Sequence, residues 1–267
     1  MSEFIGMDKK TLFIKADQYR DRINHSRPLT DHEVKSLKAY FNISLTYTSN
    51  AIEGNSLTES ETKVLLEDGL TVGGKPAKDY YEASGHSMAY DYMRQVASDP
   101  NAVISEDVIK RLHFLFYHMI DIEKAGKYRK EQNFITGTQY VPPAPGKIPA
   151  LIKAFAADME KLKGSVHPVE WAALLHKGIV DIHPFIDGNG RTARLAMNLA
   201  LIQAGYGLAV IPLVLRGEYI ETLKIAQTKN NAEPFICLVA SCVIETQRDY
   251  CRMLDIPLIK TNEEREG

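Results

Sequence analysis

The sequence predicts a mostly α-helical chain with one short β-hairpin, and three observations lead there. Segment after segment repeats its apolar residues at helical spacing between recognisable start and stop residues. One stretch alone, 134–141, gathers β-formers around a glycine, and Pro142-Pro143 follows it. There is no alternation of strands with helices that would call for a parallel sheet, and no internal repeat.

The first helix is expected over 12–23, ahead of Pro28. Thr30 with Glu33 forms a capping box. It opens a helix with apolar positions Val34, Leu37, Phe41, Leu45, Thr48 and Ile52, stopped by Gly54. Thr58 with Glu61 repeats the cap for a helix ending by Gly69. After Gly73-Gly74 and Pro76 comes a long helix over 77–96. Ser105 caps the next, which has acids in its first turn and a stripe of Val108, Leu112, Phe116 and Met119. The rhythm breaks over 126–145, where the hairpin is expected. Helices resume over 148–162, over 168–182 with Pro168 in the first turn, and near 191–204, 217–229 and 234–254. The polar tail 260–267 is expected to fray.

At 267 residues, 25% charged and 45% hydrophobic, the chain can bury a sizeable core and has an ordinary globular composition. A net charge of −2 gives no reason to expect nucleic acid or an anionic membrane as partner. Cys237, Cys242 and Cys251 match no zinc spacing, and an odd count is no disulfide framework, so a reducing, cytoplasmic setting is the simplest expectation. Residues 1–15 do not read as a signal peptide, and no apolar run approaches the roughly 18 residues needed to span a membrane. His113 and His118 lie five apart and so do not share a face as metal ligands would; His176 reads as packing near the site and His86 as a helix-face residue.

The chemistry concentrates in 183–194, His-Pro-Phe-Ile-Asp-Gly-Asn-Gly-Arg-Thr-Ala-Arg, just ahead of the apolar run 195–202. This is a loop feeding a helix N-terminus, where small residues leave backbone N–H groups free to face an anion and the helix dipole adds to the attraction. Arg191 and Arg194 lie three apart on one helix, so both guanidinium forks can reach one side. Asp187 beside a phosphate site is a natural ligand for Mg2+. His183, with an ordinary pKa near 6.5, can take a proton at neutral pH. Together these parts suit phosphoryl or nucleotidyl transfer. A packed loop histidine and solvated arginines would explain any one of these residues, but not all of them within twelve positions.

The stretch resembles the motif of the Fic (Fido-domain) family, His-x-Phe-x-(Asp or Glu)-Gly-Asn-Gly-Arg-x-x-Arg, at every specified position. The resemblance implies an all-α Fic/Fido core with a short β-hairpin flap and an N-terminal helical region. It also implies transfer of AMP from ATP to a Ser, Thr or Tyr hydroxyl of a target protein. His183 would be the base and Asp187 the Mg2+ ligand. The backbone of Gly188, Asn189 and Gly190 would form the anion hole. Arg191 and Arg194 would hold the outer phosphates, with Thr192 and Ala193 completing the nucleotide-binding run. Gly126-Lys127-Tyr128-Arg129 and the hairpin after it resemble the target-docking flap, with Thr136, Gly137, Thr138 and Gln139 at its tip. Tyr219 and Gln227 fall where relatives make adenine-side contacts, although the second is usually Asn. The resemblance divides the chain into an N-terminal region 1–103, a catalytic core 104–248 and a terminal stretch 249–267.

Upstream, Ser49 and Glu53 lie one turn apart on the helix of about 31–54 and resemble the inhibitory motif (Ser or Thr)-x-x-x-Glu-(Gly or Asn). By that analogy Glu53 pairs with Arg194 and blocks the γ-phosphate, so Glu53→Gly should raise AMP transfer. Two alternatives stay open: a Fic-like transferase using another donor or removing AMP, and a nucleotide-binding regulator with little catalysis. The target's identity and whether the chain forms a homo-oligomer are not legible.

Overall fold

The computed structural model describes residues 4, 6–26, 28–135 and 137–259. Helices begin where the capping side chains stand. Asp8 caps α1 (Lys9–Asn24). Thr30 and Glu33 form a reciprocal capping box on α2 (Asp31–Ile52), as do Thr58 and Glu61 on α3 (Glu59–Asp68). α4 (Ala77–Ala97) follows Pro76, and Ser105 caps α5 (Glu106–Tyr117). Then come α6 (Ile148–Leu162), α7 (Pro168–Ile182), α8 (Asn189–Gln203), α9 (Arg216–Thr228) and α10 (Glu233–Met253).

α8 is the axis of the fold. Its residues are buried on every side, as expected of a helix enclosed by others, and α7, α4 and α5 pack around it. Leu195, Met197, Leu199 and Leu201 are fully buried there, each adding roughly 1.5–3 kcal/mol through burial. α10 runs behind α7 and α9 and against α1. α2 lies on α3 and α4, and its C-terminal turn reaches α8. That arrangement brings Ser49 and Glu53 to the start of the central helix. Among the described residues, no helix is long and apolar enough to cross a membrane.

The all-α expectation holds, but the expected hairpin is not seen: no strand is assigned among the described residues, and 130–135 and 137–141 are irregular. Side chains take the carbonyls a ladder would need: Arg129 donates to the Glu131 and Pro143 carbonyls, and Gln132 donates to those of Asn133 and Pro142. Pro142 and Pro143 have no N–H to offer in return. Three smaller expectations also fail. Val34 is 47% exposed, because α2 is solvated through its first turns. α5 ends at Tyr117, which leaves Met119 outside it and exposed. His86 is fully buried, with Nδ1 3.0 Å from the Thr46 hydroxyl. The tail 260–267 lies outside the described residues.

Candidate active site

α7 stops on His183 itself, which takes a left-handed conformation (φ 50°, ψ 58°) while its N–H still bonds the Ile179 carbonyl at 2.9 Å. Nδ1 lies 3.4 Å from the Val180 carbonyl, which favours the proton on Nδ1 and leaves the Nε2 lone pair free. Burial lowers the imidazole pKa below its ordinary value. The Val180 carbonyl opposes that shift and the Arg129 charge adds to it.

The loop that follows is held from outside. Arg129, itself buried, donates from Nε to the His183 carbonyl (2.8 Å) and from its backbone N–H to the Pro184 carbonyl (2.9 Å). Asn189 brackets Phe185: its Oδ1 accepts the Phe185 N–H at 2.8 Å and its Nδ2 donates to the Phe185 carbonyl at 2.9 Å. The His113 ring stacks on Phe185 at 3.8 Å. His113 Nδ1 accepts the Gly126 N–H (2.9 Å), so Nε2 carries the proton and donates to the Asp187 carbonyl (3.1 Å). Burial pushes the His113 pKa down to about 4, keeping it neutral in this role.

Gly188 turns the chain into α8 at φ 75°, and a Cβ there would lie 2.6 Å from the Phe116 ring, so both conformation and space call for glycine. The helix ladder begins with the Thr192 N–H, which bonds the Gly188 carbonyl at 2.9 Å. The N–H groups of Asn189, Gly190 and Arg191 precede it and have no carbonyl a turn back. They leave an open N-terminus on a buried helix, an arrangement whose geometry and dipole suit an anion.

The two arginines serve different partners. Arg194, 2% exposed, gives Nε to the Ser49 hydroxyl (2.9 Å), one terminal nitrogen to the Tyr219 hydroxyl (2.9 Å), and the other to the Ser49 carbonyl and Glu53 Oε1 (both 2.8 Å). The Tyr219 hydroxyl in turn lies 3.0 Å from His176 Nε2. Burial by itself would raise the Glu53 carboxyl pKa, but the Arg194 and Arg191 charges outweigh it and hold the group below its usual range. Glu53 stands over the first turn of α8: a Cβ on Gly190 would lie 2.4 Å from its Oε1. Arg191 instead pairs with Glu82 on α4 at 2.8 Å and with Asp187 at 3.3 Å, and its guanidinium stacks on Phe116 at 4.3 Å.

Asp187 remains partly exposed. Its Oδ1 takes the Gly188 N–H and Arg191, while Oδ2 has Lys78 at 3.9 Å. One such carboxylate oxygen beside a phosphate site fits Mg2+, which is commonly held by one or two carboxylates together with phosphate and water oxygens. No group of three or more His, Cys, Asp or Glu that could hold a metal occurs among the described residues, so the protein's own share would be Asp187.

Other sequence candidates lie at varying distances from this centre. The side chains of Thr192 and Ala193 are buried in the core. Tyr219 is buried with its hydroxyl on Arg194, and Gln227 donates to Asp181 at 3.0 Å. Gly137 and Gln139 are exposed, the Thr138 hydroxyl accepts the Tyr140 N–H at 3.1 Å, and Thr136 lies outside the described residues. Sequence reasoning missed Glu82, His113, Arg129 and Asn50, whose Oδ1 is 3.5 Å from Arg191. A signal existed for Glu82: with Asp79, His86 and Tyr90 it forms a polar stripe among the small residues Ala83, Gly85 and Ala89. Arg129 read only as part of the flap, because the loop carbonyl it holds, that of His183, lies 54 residues away in sequence.

Residues 103–201 match the Fic/DOC family. The protein adenylyltransferase Fic of Drosophila willistoni is 36% identical over 201 residues, which are 75% of this chain and 40% of that protein. Its counterpart in Drosophila grimshawi is 34% identical over 243 residues, 90% of this chain and 49% of that one. The chain therefore spans less than half the length of these curated relatives. Among solved structures, a Fic domain containing signaling protein from Bacteroides thetaiotaomicron is 30% identical. It superposes with a TM-score of 0.82 over 92% of this chain and 100% of that one. Fic-1 from C. elegans, 25% identical, gives a TM-score of 0.82 over 92% and 73%. The chain belongs to the Fic/DOC family.

Proposed function

We propose that the protein transfers AMP from ATP to a Ser, Thr or Tyr hydroxyl of a target protein, itself included, and that Glu53 restrains this activity. The observation that carries the reading is one braced loop on which a neutral histidine, a half-exposed carboxylate and an open helix N-terminus follow one another. The relatives named protein adenylyltransferase Fic support an adenylyl group as what is transferred and a protein as its acceptor.

In this reading the target hydroxyl attacks the α-phosphorus of ATP. A new oxygen–phosphorus bond forms, the bond from the α-phosphorus to the bridging oxygen breaks, and pyrophosphate leaves. His183 Nε2 takes the hydroxyl proton. The free N–H groups of Asn189, Gly190 and Arg191 stabilise charge on the phosphates. Asp187 would hold Mg2+, which when bound neutralises phosphate charge and fixes phosphate geometry. Arg194 holds the γ-phosphate once Glu53 leaves it. A charge-assisted pair between the buried Arg194 and the more open Glu53 competes with phosphate for the same fork, and its 2.8 Å length supports a brake. The exposed segment with Phe134 and Val141 is where an extended target chain would dock.

The test compares wild type, Glu53→Gly and His183→Ala with α-labelled ATP and Mg2+, read by labelling and intact mass. His183-dependent transfer of the α-label that rises in Glu53→Gly is the expected result. Transfer of a γ-label instead would point to another donor chemistry, and nucleotide binding without transfer would point to a regulator. A second reading gives Glu53 another role. Kept ionised, it can orient a water that removes AMP from a target, and loss of the AMP mass from a modified target with wild type would reveal it.

A further inference from the structure

We infer that Glu82 is a positioning residue that sets the geometry of Asp187 through Arg191, so that the carboxylate offers one free oxygen to a divalent cation. The inference rests on the nucleotidyl-transfer reading for what that cation does.

Glu82 is buried (4% exposed) in the second turn of α4, and both its oxygens are used. Oε1 takes Arg191 at 2.8 Å and Lys78 at 3.5 Å; Oε2 takes the Asn55 amide at 2.9 Å. Its partner Arg191 is equally enclosed and lies flat on Phe116. One guanidinium nitrogen goes to Glu82, and the other reaches Asp187 Oδ1 at 3.3 Å. Glu82 therefore holds Arg191 back toward α4, so that Arg191 touches only one oxygen of Asp187. The second oxygen has its nearest cation, Lys78, at 3.9 Å.

Charge and geometry act in the same direction. Four groups meet here, two cations (Arg191 and Lys78) and two anions (Glu82 and Asp187). In the Glu53→Gly chain, where that neighbouring carboxylate is also gone, loss of the Glu82 charge leaves Asp187 to face both cations alone. The planar fork of Arg191 is then free to close on both its oxygens, since bidentate pairing is what guanidinium and carboxylate favour. A carboxylate neutralised and engaged in that way has less to give a metal ion. Partners behind a metal ligand commonly change metal affinity by about 10- to 100-fold.

The experiment uses the full chain carrying Glu53→Gly, melted with a fixed concentration of a non-hydrolysable ATP analogue across a MgCl2 titration. Addition of Glu82→Gln is expected to raise the Mg2+ concentration for half the nucleotide-induced Tm shift by about 10-fold. The shift at saturating Mg2+ should be retained. Asn55→Ala removes the other bond to Glu82 without touching Arg191 and should leave the midpoint in place. An unmoved midpoint in folded Glu82→Gln overturns the inference, and so does an equal move in Asn55→Ala. If Glu82→Gln does not fold, Glu82→Asp keeps the charge one methylene short of Arg191. A smaller shift in the same direction supports the inference there, and no shift overturns it. Absence of any nucleotide effect in the Glu53→Gly parent overturns the proposed function and this inference with it, whereas nucleotide binding with an unmoved midpoint overturns this inference alone.

Discussion

The loop 183–188 and the segment 130–141 touch each other, yet they are held by opposite means. The loop is gripped from elsewhere: Arg129 and Asn189 each occupy two of its backbone groups, and His113 occupies one. The segment does the reaching. Asn133 donates to the Phe185 and Ile186 carbonyls, while Phe134, 79% exposed, and Val141 stand in solvent. On the proposed function, the difference separates two tasks. Proton transfer and phosphate binding need atoms fixed before the substrate arrives, whereas docking of a partner chain needs a surface still free to be covered.

The largest effect should come from the gripped loop. His183→Ala is expected to lower AMP transfer by about 10²- to 10⁴-fold, the usual worth of a positioned base, in single-turnover labelling with the Glu53→Gly chain. Glu53→Gly should raise transfer by about 10- to 100-fold over wild type in the same assay, matching a charge-assisted hydrogen bond of about 1.5–3 kcal/mol. Asn189→Ala leaves the Phe185 N–H unpaired in the interior and its carbonyl with only the longer 3.4 Å bond from Asn133, and should cost about 1–3 kcal/mol in urea denaturation. Equal stability of that variant and wild type would break the comparison on its first side.

Acid should find the same loop. The folded pKa of His113 is depressed from 6.5 to about 4, so between those values the unfolded chain binds the extra proton. Its contribution is complete above pH 6.5 and declines as pH falls through that window, by about 1.4 kcal/mol per pH unit. Urea midpoints measured from pH 7 to pH 4.5 should show a shallower slope in His113→Gln. At the loosely held segment, Phe134→Ala should change stability by no more than about 0.5 kcal/mol while weakening transfer to a target. A large loss of stability there would break the comparison on its second side.

The helices were legible because their ends carry local chemistry: Thr30, Thr58 and Ser105 announce their caps within three residues. The site loop was legible for a related reason, since its functional groups are consecutive in sequence. What could not be read is what arrives from far away. Glu82 meets Arg191 across 109 positions, so the division of labour between the two arginines is a tertiary fact. The 134–141 segment misled because β-forming side chains were weighed without asking where the carbonyls go. Arg129 and Gln132 take carbonyls on either side of it, at Glu131, Asn133, Pro142 and Pro143, and the proline pair cannot reply.

His183 occupies the left-handed stop of α7, a place where glycine or asparagine would sit with less strain. The residue that ends the helix and the residue that would take the proton are therefore the same. Stability and turnover pull in opposite directions at this single position. Selection for a sturdier fold alone would drift toward glycine there and silence the protein without disturbing its shape. A histidine in so unfavourable a backbone is what the proposed proton transfer asks for at this point of the chain.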